Sequence, residues 1–476
     1  MTDSHTLSAS PGWGDLLSGG NLIRSLALSG GVALHAVNLY ISTTILPSVV
    51  REIGGLDYYA WNTTLFVVAS ILGAALSAPL LAQAGARGGY LVAALVFVAG
   101  TLVCAIANMM EIMLAGRFAQ GFGGGILLAL AYAMVRRVFA QPLWPRALAL
   151  LSSMWGIATL LGPAVGGVFA ELGLWRGAFL FLVPIAGLVT LAALFVLPPR
   201  TGERVQSEPL PLVQLALLTL AVFAASWGGM GANLSSTVAG MVTALVLVGL
   251  VIVTERRSRH RLLPAGTFER PAALGSLYAA TALLAVTVTC TEIFLPLFLQ
   301  DLHGRSPLEA GYIAAVMSAG WTAAAIHTSG LKGERRASVV RAGPMLSLAS
   351  MVVLVVAMPW TSVEGWLALA LICAALVIGG VGVGLAYPHL SAMILHVAPQ
   401  GEEDNAASSI MTVQLCATAF GAAIAGLAVN LAGASGGADG MDTASAARWL
   451  FVTVAVAPLL CLFVMNSTSF RHADDA

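Results

Sequence analysis

Fourteen apolar runs follow one another along the chain, and this repetition limits the possible folds more than any other feature. A helix that crosses the roughly 30 Å hydrocarbon core of a bilayer needs about 20 apolar residues. Only 9% of the residues are charged and 58% are hydrophobic, whereas a soluble domain carries about 25% charged residues. The sequence therefore predicts an all-α polytopic membrane protein with fourteen transmembrane helices.

The predicted spans cover most of the 476 residues, so no soluble domain is expected. Their approximate limits are 25–48, 60–83, 89–108, 112–134, 147–170, 177–197, 210–228, 236–254, 272–299, 309–329, 342–359, 366–395, 406–432 and 447–466.

The distribution of basic residues orients the predicted helices. Cytoplasmic loops carry an excess of Lys and Arg, and an even number of spans places both ends on one side. With both ends in the cytoplasm, Arg51, Arg176, Arg305 and Arg448 fall outside and Arg117 lies within a span. The remaining seventeen of the 22 basic residues are then cytoplasmic, so this orientation in a bacterial inner membrane is expected.

Two polar stretches divide the spans into groups of six, two and six. These are the charged, Pro-rich segment 198–211 and the basic segment 255–271. We expect a cytoplasmic tail (1–20), an N-terminal six-helix bundle (21–199), a linker with two extra transmembrane helices (200–256), a C-terminal six-helix bundle (257–468) and a second tail (469–476). A substrate path is expected between the bundles, near the bilayer midplane.

Several classes of function lack support in the sequence. The five cysteines are scattered singly, without the spacing of a metal site, so no metal and no cofactor is expected. A formal net charge of zero argues against a nucleic-acid partner. Paired intramembrane acids and a Ser/His/Asp set are both missing, so an enzyme is not expected. The partners that remain are the lipid bilayer, a small-molecule substrate and protons, and we expect a monomer.

Glu292 lies inside an apolar run, in "TVTCTEIFLPLF" (287–298), with Pro296 one turn further on. A carboxylate at membrane depth costs about 2.5 to 3.5 kcal/mol on insertion scales, so such residues face a bundle interior or a water-filled path. Three roles remain open for it: proton binding, recognition of a cationic substrate, and a structural hydrogen bond.

The segment "LAGRFAQGFGGG" (114–125) places a second charge, Arg117, within a predicted helix. Gln120 and Gly121 follow three and four residues later and share its face. Gly121 and Gly125 form a pair of small residues that lets a neighbouring helix approach closely. Alternatively, Arg117 extends its side chain to the membrane interface from a close-packed helix.

A second cluster of small residues is "WGIATLLGPAVGG" (155–167). Pro163 removes a backbone donor and bends a helix. The glycines around it leave a smooth surface, which suits a helix whose neighbours rock against it and equally suits static packing. They are Gly156, Gly162, Gly166 and Gly167.

Together the two clusters resemble the fourth- and fifth-helix signatures of the major facilitator superfamily, specifically its fourteen-span drug:proton antiporters. The segments 174–184, 295–311 and 404–426 are similar to further parts of that family, so the resemblance covers nearly the whole chain. It implies the major facilitator fold, with two six-helix bundles and two inserted helices. It also implies that a small molecule is exchanged for protons.

The chain departs from the family pattern at two places. Ala82 and Gln83 occupy positions where the family carries an acidic and a basic residue after the second helix. Asn38 stands where the family pattern places an acidic residue in the first helix. An amide cannot carry a proton in that role, so Glu292 becomes the leading candidate for proton coupling.

Other residues are assigned to the site with less support. His35 lies one helical turn from Asn38 and titrates in a useful range, although a packed histidine explains it as well. With Glu292 and Arg117, it forms the set proposed for proton coupling or substrate charge. The residues expected to line the cavity are Asn38, Gln120, Trp155, Trp321 and Gln300.

These observations favour an exporter of amphipathic small molecules that works by alternating access and is coupled to proton influx. Two alternatives stay open. One is an exporter or flippase for a lipid or metabolite without strict proton coupling, which the changes at Asn38, Ala82 and Gln83 would permit. The other is a membrane sensor or scaffold that does not transport.

Overall fold

The computed structural model describes residues 13–199, 211–228, 234–258, 260–269, 273–328, 331, 333–360, 365–400, 402–433 and 442–467. These residues form fourteen α-helices and two short 3-10 turns, and none of them forms a strand. The predicted tail 469–476, residues 1–12 of the other tail and the start of the linker, 200–210, lie outside the described residues.

The helices are α1 (Trp13–Leu16), α2 (Gly19–Ile53), α3 (Tyr59–Ile106), α4 (Met110–Val138), α5 (Trp144–Glu171), α6 (Trp175–Val196), α7 (Leu212–Gly228), α8 (Leu234–Arg257), α9 (Ala273–Asp301), α10 (Pro307–Thr328), α11 (Gly333–Ala357), α12 (Gly365–Val397), α13 (Glu403–Gly433) and α14 (Thr443–Met465).

The predicted all-α membrane protein is confirmed, because eleven helices of the described chain are long and apolar enough to cross a bilayer. Leu212–Gly228 is a shorter apolar helix. The predicted spans 60–83 and 89–108 lie within α3, which consists of two helices joined at Gly85, where φ is 71°. Glycine adopts positive φ at little cost, so the chain bends there without a loop. The number of fourteen crossings stays a prediction.

Glycines bring pairs of helices into backbone contact. A Cβ atom on Gly121 or Gly125 of α4 would overlap a carbonyl oxygen of α3. Gly380 and Gly384 of α12 are packed against carbonyl oxygens of α10 in the same way. Small residues give this kind of close contact where lipid supplies no hydrophobic drive for association.

The helices pack in two groups with a hairpin beside them. Helices α2 to α6 contact one another, and so do α9 to α14. The groups meet where α5 contacts α10, α3 contacts α13 and α2 contacts α9. Helices α7 and α8 pair with each other, and α7 lies against both α3 and α13. The space between the two groups holds the candidate site.

Candidate functional site

A cavity of about 440 Å³, here called the central cavity, lies between the two groups of helices. Its walls come from α2, α3, α4 and α5 on one side and from α9, α10, α12 and α13 on the other. Glu292 is the one charged residue among its described lining residues, which are otherwise apolar, aromatic or neutral polar. A concave site with few polar groups is typical of small-molecule binding.

Glu292 projects from α9 one turn before Pro296, and it is partly exposed to the cavity. Ser318 of α10 donates a hydrogen bond to Glu292 Oε1 over 3.2 Å. Within the described part of the chain, no Lys, Arg or His lines the cavity beside this carboxylate. A carboxylate in this setting has a single hydroxyl donor and space in front of it, so it can accept a proton or a ligand cation.

Tyr40 brings the first group of helices to the same point. Its side chain projects from α2 into the central cavity. The hydroxyl lies beside Ser318 and within electrostatic range of Glu292. Ser318 therefore stands between a residue of α2 and a residue of α9, so a change at the carboxylate is felt directly across the contact between the groups.

Beyond Glu292 the cavity narrows to a void of about 20 Å³, here called the closed end. Tyr40, Glu292 and Gly311 are among its lining residues. The two groups touch here, because a Cβ atom on Gly311 would lie 2.8 Å from Cβ of Pro163. At the nearby helix ends, Arg51 of α2 pairs with Asp301 of α9 at 2.9 Å. Packing and an ion pair thus seal this end.

Arg117 lies in a separate cluster within the first group and is 0% exposed. Its Nη1 donates to Gln120 Oε1 at 2.9 Å, and its Nε donates to the Asn62 carbonyl oxygen at 3.4 Å. The guanidinium also sits 4.1 Å from the centre of the Phe66 ring. These partners are all neutral, so the positive charge is held by dipoles and a π face.

Asn38 and Gln120 belong to this Arg117 cluster. Gln120 Nε2 donates to Thr101 Oγ1 at 2.9 Å and to Asn38 Oδ1 at 3.4 Å. Both amide residues are 0% exposed, and neither is among the lining residues of the central cavity. In this conformation Asn38 and Gln120 thus support Arg117, and the expected cavity-lining position is not where they lie.

His35 is also enclosed, at 1% exposure. Its ring lies 5.0 Å from the Phe66 ring and 5.9 Å from the Trp155 ring. A Cβ atom on Gly124 would lie 2.9 Å from His35 Nδ1. The histidine therefore packs beside the Arg117 cluster, with only the Trp155 ring between it and the central cavity.

The remaining predicted residues fall into two sets. Trp155, Gly156 and Trp321 line the central cavity, and the Trp321 ring lies 5.3 Å from the Tyr387 ring. Gln300 is 7% exposed and lies outside the lining of that cavity. It is one helical turn or more beyond the closed end on α9.

The glycines of α5 serve helix contacts. A Cβ atom on Gly162 would overlap Tyr40, and one on Gly166 would lie 3.0 Å from the Ile41 carbonyl oxygen. One on Gly167 would lie 2.6 Å from Leu308 Cα, across the contact between the groups. Both α2 and α10 therefore lie against the smooth face of α5.

The sequence interpretation missed several residues of the central cavity. Tyr40 and Ser318 were not singled out, nor was Gln414, whose Oε1 accepts a hydrogen bond from Tyr387 at 3.0 Å. A signal existed for Tyr40, since it lies in the same segment as His35 and Asn38. A serine in an alanine-rich helix carries no such signal.

A second chamber of about 640 Å³ adjoins the central cavity, with Tyr132 and Met411 lining both. Its walls come from α3, α4, α5, α7 and α13 and from the segment that follows α8. Its charged lining residues in the described chain are Arg136 and Arg261. The two connected spaces therefore carry charges of opposite sign. Among the described residues, no group of three or more His, Cys, Asp or Glu could hold a metal ion.

Comparison with known proteins gives the chain relatives along its full length. The sequence profile of the Major Facilitator Superfamily matches residues 28–414. A probable multidrug-efflux transporter of Mycobacterium tuberculosis is 36% identical over 480 residues, covering 99% of this chain and 99% of the relative. Multidrug resistance protein 3 of Bacillus subtilis is 26% identical over 308 residues, covering 62% of this chain and 58% of that protein.

Solved transporters share the fold at low sequence identity. A bacterial homologue of the human lysosomal transporter Spinster, in an inward-facing and unoccupied conformation, matches with a TM-score of 0.63 and 14% identity, covering 95% of this chain and 96% of its own. A mutant of the peptide transporter POT in complex with sulfate matches with a TM-score of 0.67 and 13% identity, covering 97% of each chain.

Proposed function

Because the chain belongs to the Major Facilitator Superfamily and is thus a membrane transporter rather than an enzyme, we propose that it exports amphipathic, drug-like or cationic small molecules in exchange for protons. The observation that carries this proposal is the central cavity, in which Glu292 is the one charged lining residue of the described chain. The names of the relatives, which include multidrug-efflux transporters, support the same substrate class.

The proposed architecture is fourteen membrane crossings, with six-helix bundles at 21–199 and 257–468 and two inserted helices within 200–256. The bend of α3 at Gly85 supports counting two crossings in that helix. The pairing of α7 with α8, beside the two groups, supports the insert. We further propose a monomer in a bacterial inner membrane, with both termini in the cytoplasm.

The proposed cycle is alternating access. The closed end is sealed by packing between α5 and α10 and by the Arg51 ion pair with Asp301. At the other end, the central cavity continues into the second chamber. Rocking of the two groups would open the closed end and join the helices around the second chamber. Glu292, beside the closed end, would meet each side in turn.

The proposed coupling is competition at Glu292. Carboxylates are rare at membrane depth and mark proton and substrate pathways. A proton and a substrate cation both neutralise the Glu292 carboxylate, so each disfavours the other. Entry of a proton from outside would release the cation there, and loss of the proton inside would let the next cation bind.

Efflux of a lipophilic cation dye tests this proposal. Wild-type protein, Glu292→Gln and Glu309→Gln are compared in inverted vesicles, with and without an imposed proton gradient. Glu309 is an exposed glutamate in the first turn of α10, where its Oε2 accepts a hydrogen bond from the Ser306 N–H at 3.0 Å. Glutamine preserves that cap, so Glu309→Gln removes the same charge at a matched distance from the cavity.

We expect gradient-driven efflux from wild type and Glu309→Gln, and a loss of roughly tenfold or more, equal to about 1.4 kcal/mol, in Glu292→Gln at equal membrane levels. Release of protons on addition of dye separates proton coupling from cation binding alone. Equal efflux from Glu292→Gln and wild type would sink the assignment of the carboxylate. Wild-type efflux that ignores the gradient would favour an exporter without proton coupling.

One observation favours the alternative of a lipid or metabolite exporter without strict coupling. Asn38 replaces the expected acid of the first helix, and its described neighbours in the Arg117 cluster are neutral apart from Arg117. That half of the molecule would then contribute no proton site. A sensor or scaffold that does not transport is not favoured, because the family and the connected cavities both point to transport.

A further inference from the structure

We propose that the second chamber is a ligand site in its own right, and that it takes a single-chain amphiphile with an anionic headgroup. This inference concerns a site other than the central cavity, with the opposite charge preference. It stands on the size of the chamber, its wall and the placement of its two arginines.

The size and lining of the chamber suit such a ligand. A volume of about 640 Å³ falls within the range of 300 to 1,000 Å³ that is typical of sites for one small molecule. Most of its lining is apolar, including Ile71, Leu128, Leu215 and Leu415. Such a wall accommodates one alkyl chain, whereas the two chains of a membrane lipid exceed the space.

The arginines give the chamber its sign. Arg136 ends the fourth helix of the first group, and Arg261 follows α8, so the chamber is framed by a cation from each side. The Arg136 guanidinium lies 5.5 Å from the Trp144 ring centre. Arg261 Nε donates to the Ser258 carbonyl oxygen at 3.1 Å. Guanidinium groups recognise carboxylate, sulfonate and phosphate oxygens by paired hydrogen bonds.

The nearest described acids are engaged by backbone groups. Glu255 is 3% exposed, and its Oε1 accepts a hydrogen bond from the Leu263 N–H at 2.7 Å. Glu402 Oε2 accepts from the Ala265 N–H at 2.8 Å. Neither carboxylate lines the chamber. Glu255 offsets part of the Arg261 charge, but an anionic headgroup in the chamber meets the arginines and no carboxylate.

The inserted helices help to build this site. Pro211 and Leu215 at the start of α7 form part of the wall, and Gln214 Nε2 donates to the His260 carbonyl oxygen at 2.9 Å. That bond ties α7 to the segment that carries Arg261. The chamber therefore depends on the insert, whereas the central cavity takes no lining residue from it.

The test measures binding of dodecyl sulfonate and dodecyltrimethylammonium to the full chain in nanodiscs of zwitterionic lipid, with empty discs as the blank. The two probes share one alkyl chain and differ in the sign of the headgroup. The variants are Arg136→Gln, Arg261→Gln and, as the matched control, Arg137→Gln, which removes an exposed neighbouring charge that does not line the chamber. Arg261→Lys controls for folding by keeping the charge.

We expect the sulfonate to bind at least tenfold more tightly than the ammonium probe. Each of Arg136→Gln and Arg261→Gln should weaken sulfonate binding about tenfold, and Arg137→Gln and Glu292→Gln should leave it within about twofold, where tenfold equals about 1.4 kcal/mol. Ala129→Phe should fill the chamber and weaken both probes with all charges intact. Arg261→Lys should retain most of the affinity.

Equal binding of the two probes, or equal effects of Arg136→Gln, Arg261→Gln and Arg137→Gln, would overturn the proposal. Native mass spectrometry in discs with phosphatidylglycerol identifies the source of the ligand. Retention of a two-chain lipid that is lost in Arg261→Gln would overturn the single-chain assignment. Because this experiment measures binding alone, its failure is distinct from a failure of dye efflux.

Discussion

Arg117 and Glu292 are both ionisable side chains inside the helix bundle, and their surroundings differ. Arg117 is enclosed at 0% exposure among neutral partners from α3 and α4. Glu292 faces a cavity of about 440 Å³ and has one hydroxyl donor, Ser318. A charge with every side covered can organise helices, but it cannot exchange its partner. A charge beside a cavity can do so, and this difference assigns structure to Arg117 and function to Glu292.

The largest expected effect is on stability, and it separates the two residues. Arg117→Ala leaves Gln120 Oε1 and the Asn62 carbonyl without their donor and leaves a void beside the Phe66 ring. Orphaned buried groups cost about 1 to 3 kcal/mol each, so we expect a loss of roughly 3 kcal/mol or more. Glu292→Gln should change stability by less than about 1 kcal/mol, because the amide oxygen still accepts from Ser318.

Thermal melting of the two purified variants in one detergent checks this contrast. A melting temperature for Arg117→Ala close to that of wild type would show that the cluster is not structural, and the comparison would lose its first half. Arg117→Lys serves as the matched control, since it keeps the charge and loses the planar fork that reaches Gln120 and Asn62.

The next effect concerns transport and is an expected failure of rescue. Asn38→Asp restores the acid of the family pattern, within reach of Gln120 Nε2, which is 3.4 Å from Asn38 Oδ1. Position 38 is 0% exposed, so a carboxylate there would meet the Arg117 cluster and not the cavity. We expect Asn38→Asp combined with Glu292→Gln to be as inactive as Glu292→Gln alone. Recovery of gradient-driven efflux in the double variant would break the comparison.

The amino-acid sequence predicted the parts of this comparison that follow from the cost of burial. A charge within an apolar run must find a protein interior, so Arg117 and Glu292 were both expected to face inward. Which of them faces a cavity depends on distant segments. Ser318 lies 26 residues from Glu292 along the chain, and no periodicity connects the two. The functional roles of these residues stay predictions.

The fold shows the same division between local and distant determinants. Gly121 and Gly125 announced a close helix contact, and the structure has α4 packed on the backbone of α3. Gly85 did not announce a continuous helical path, because a glycine flanked by small residues fits a loop as well as a bend. The second chamber was not foreseen, since it takes residues from five helices and one connecting segment, and their residue types are common on any apolar face.

A smaller effect is expected at the hydroxyl that Glu292 shares with Tyr40. Ser318→Ala removes one hydrogen bond to the carboxylate, which contributes about 1.5 to 3 kcal/mol for a charged group at most, and water in the cavity replaces part of it. We expect dye efflux to fall about threefold to tenfold, less than in Glu292→Gln. The control is Thr322→Val, because Thr322 lines the same cavity but donates to its own helix, at Ser318 O over 2.9 Å. Equal losses in both variants would remove Ser318 from the coupling site.

The smallest effect is expected at the ion pairs near the closed end. Arg51 joins α2 to α9 through Asp301, whereas Arg176 of α6 pairs with Glu52 of α2 inside one group of helices. Exposed pairs contribute about 0 to 1 kcal/mol, so Arg51→Gln should change the efflux rate less than about fivefold, and the change should shrink at high salt. Arg176→Gln should leave the rate unaltered, because a pair within one group does not resist rocking. A double-mutant cycle of Arg51→Gln with Asp301→Asn measures the coupling energy. A value of zero would leave the packing of Gly311 on Pro163 to hold the closed end without electrostatic help.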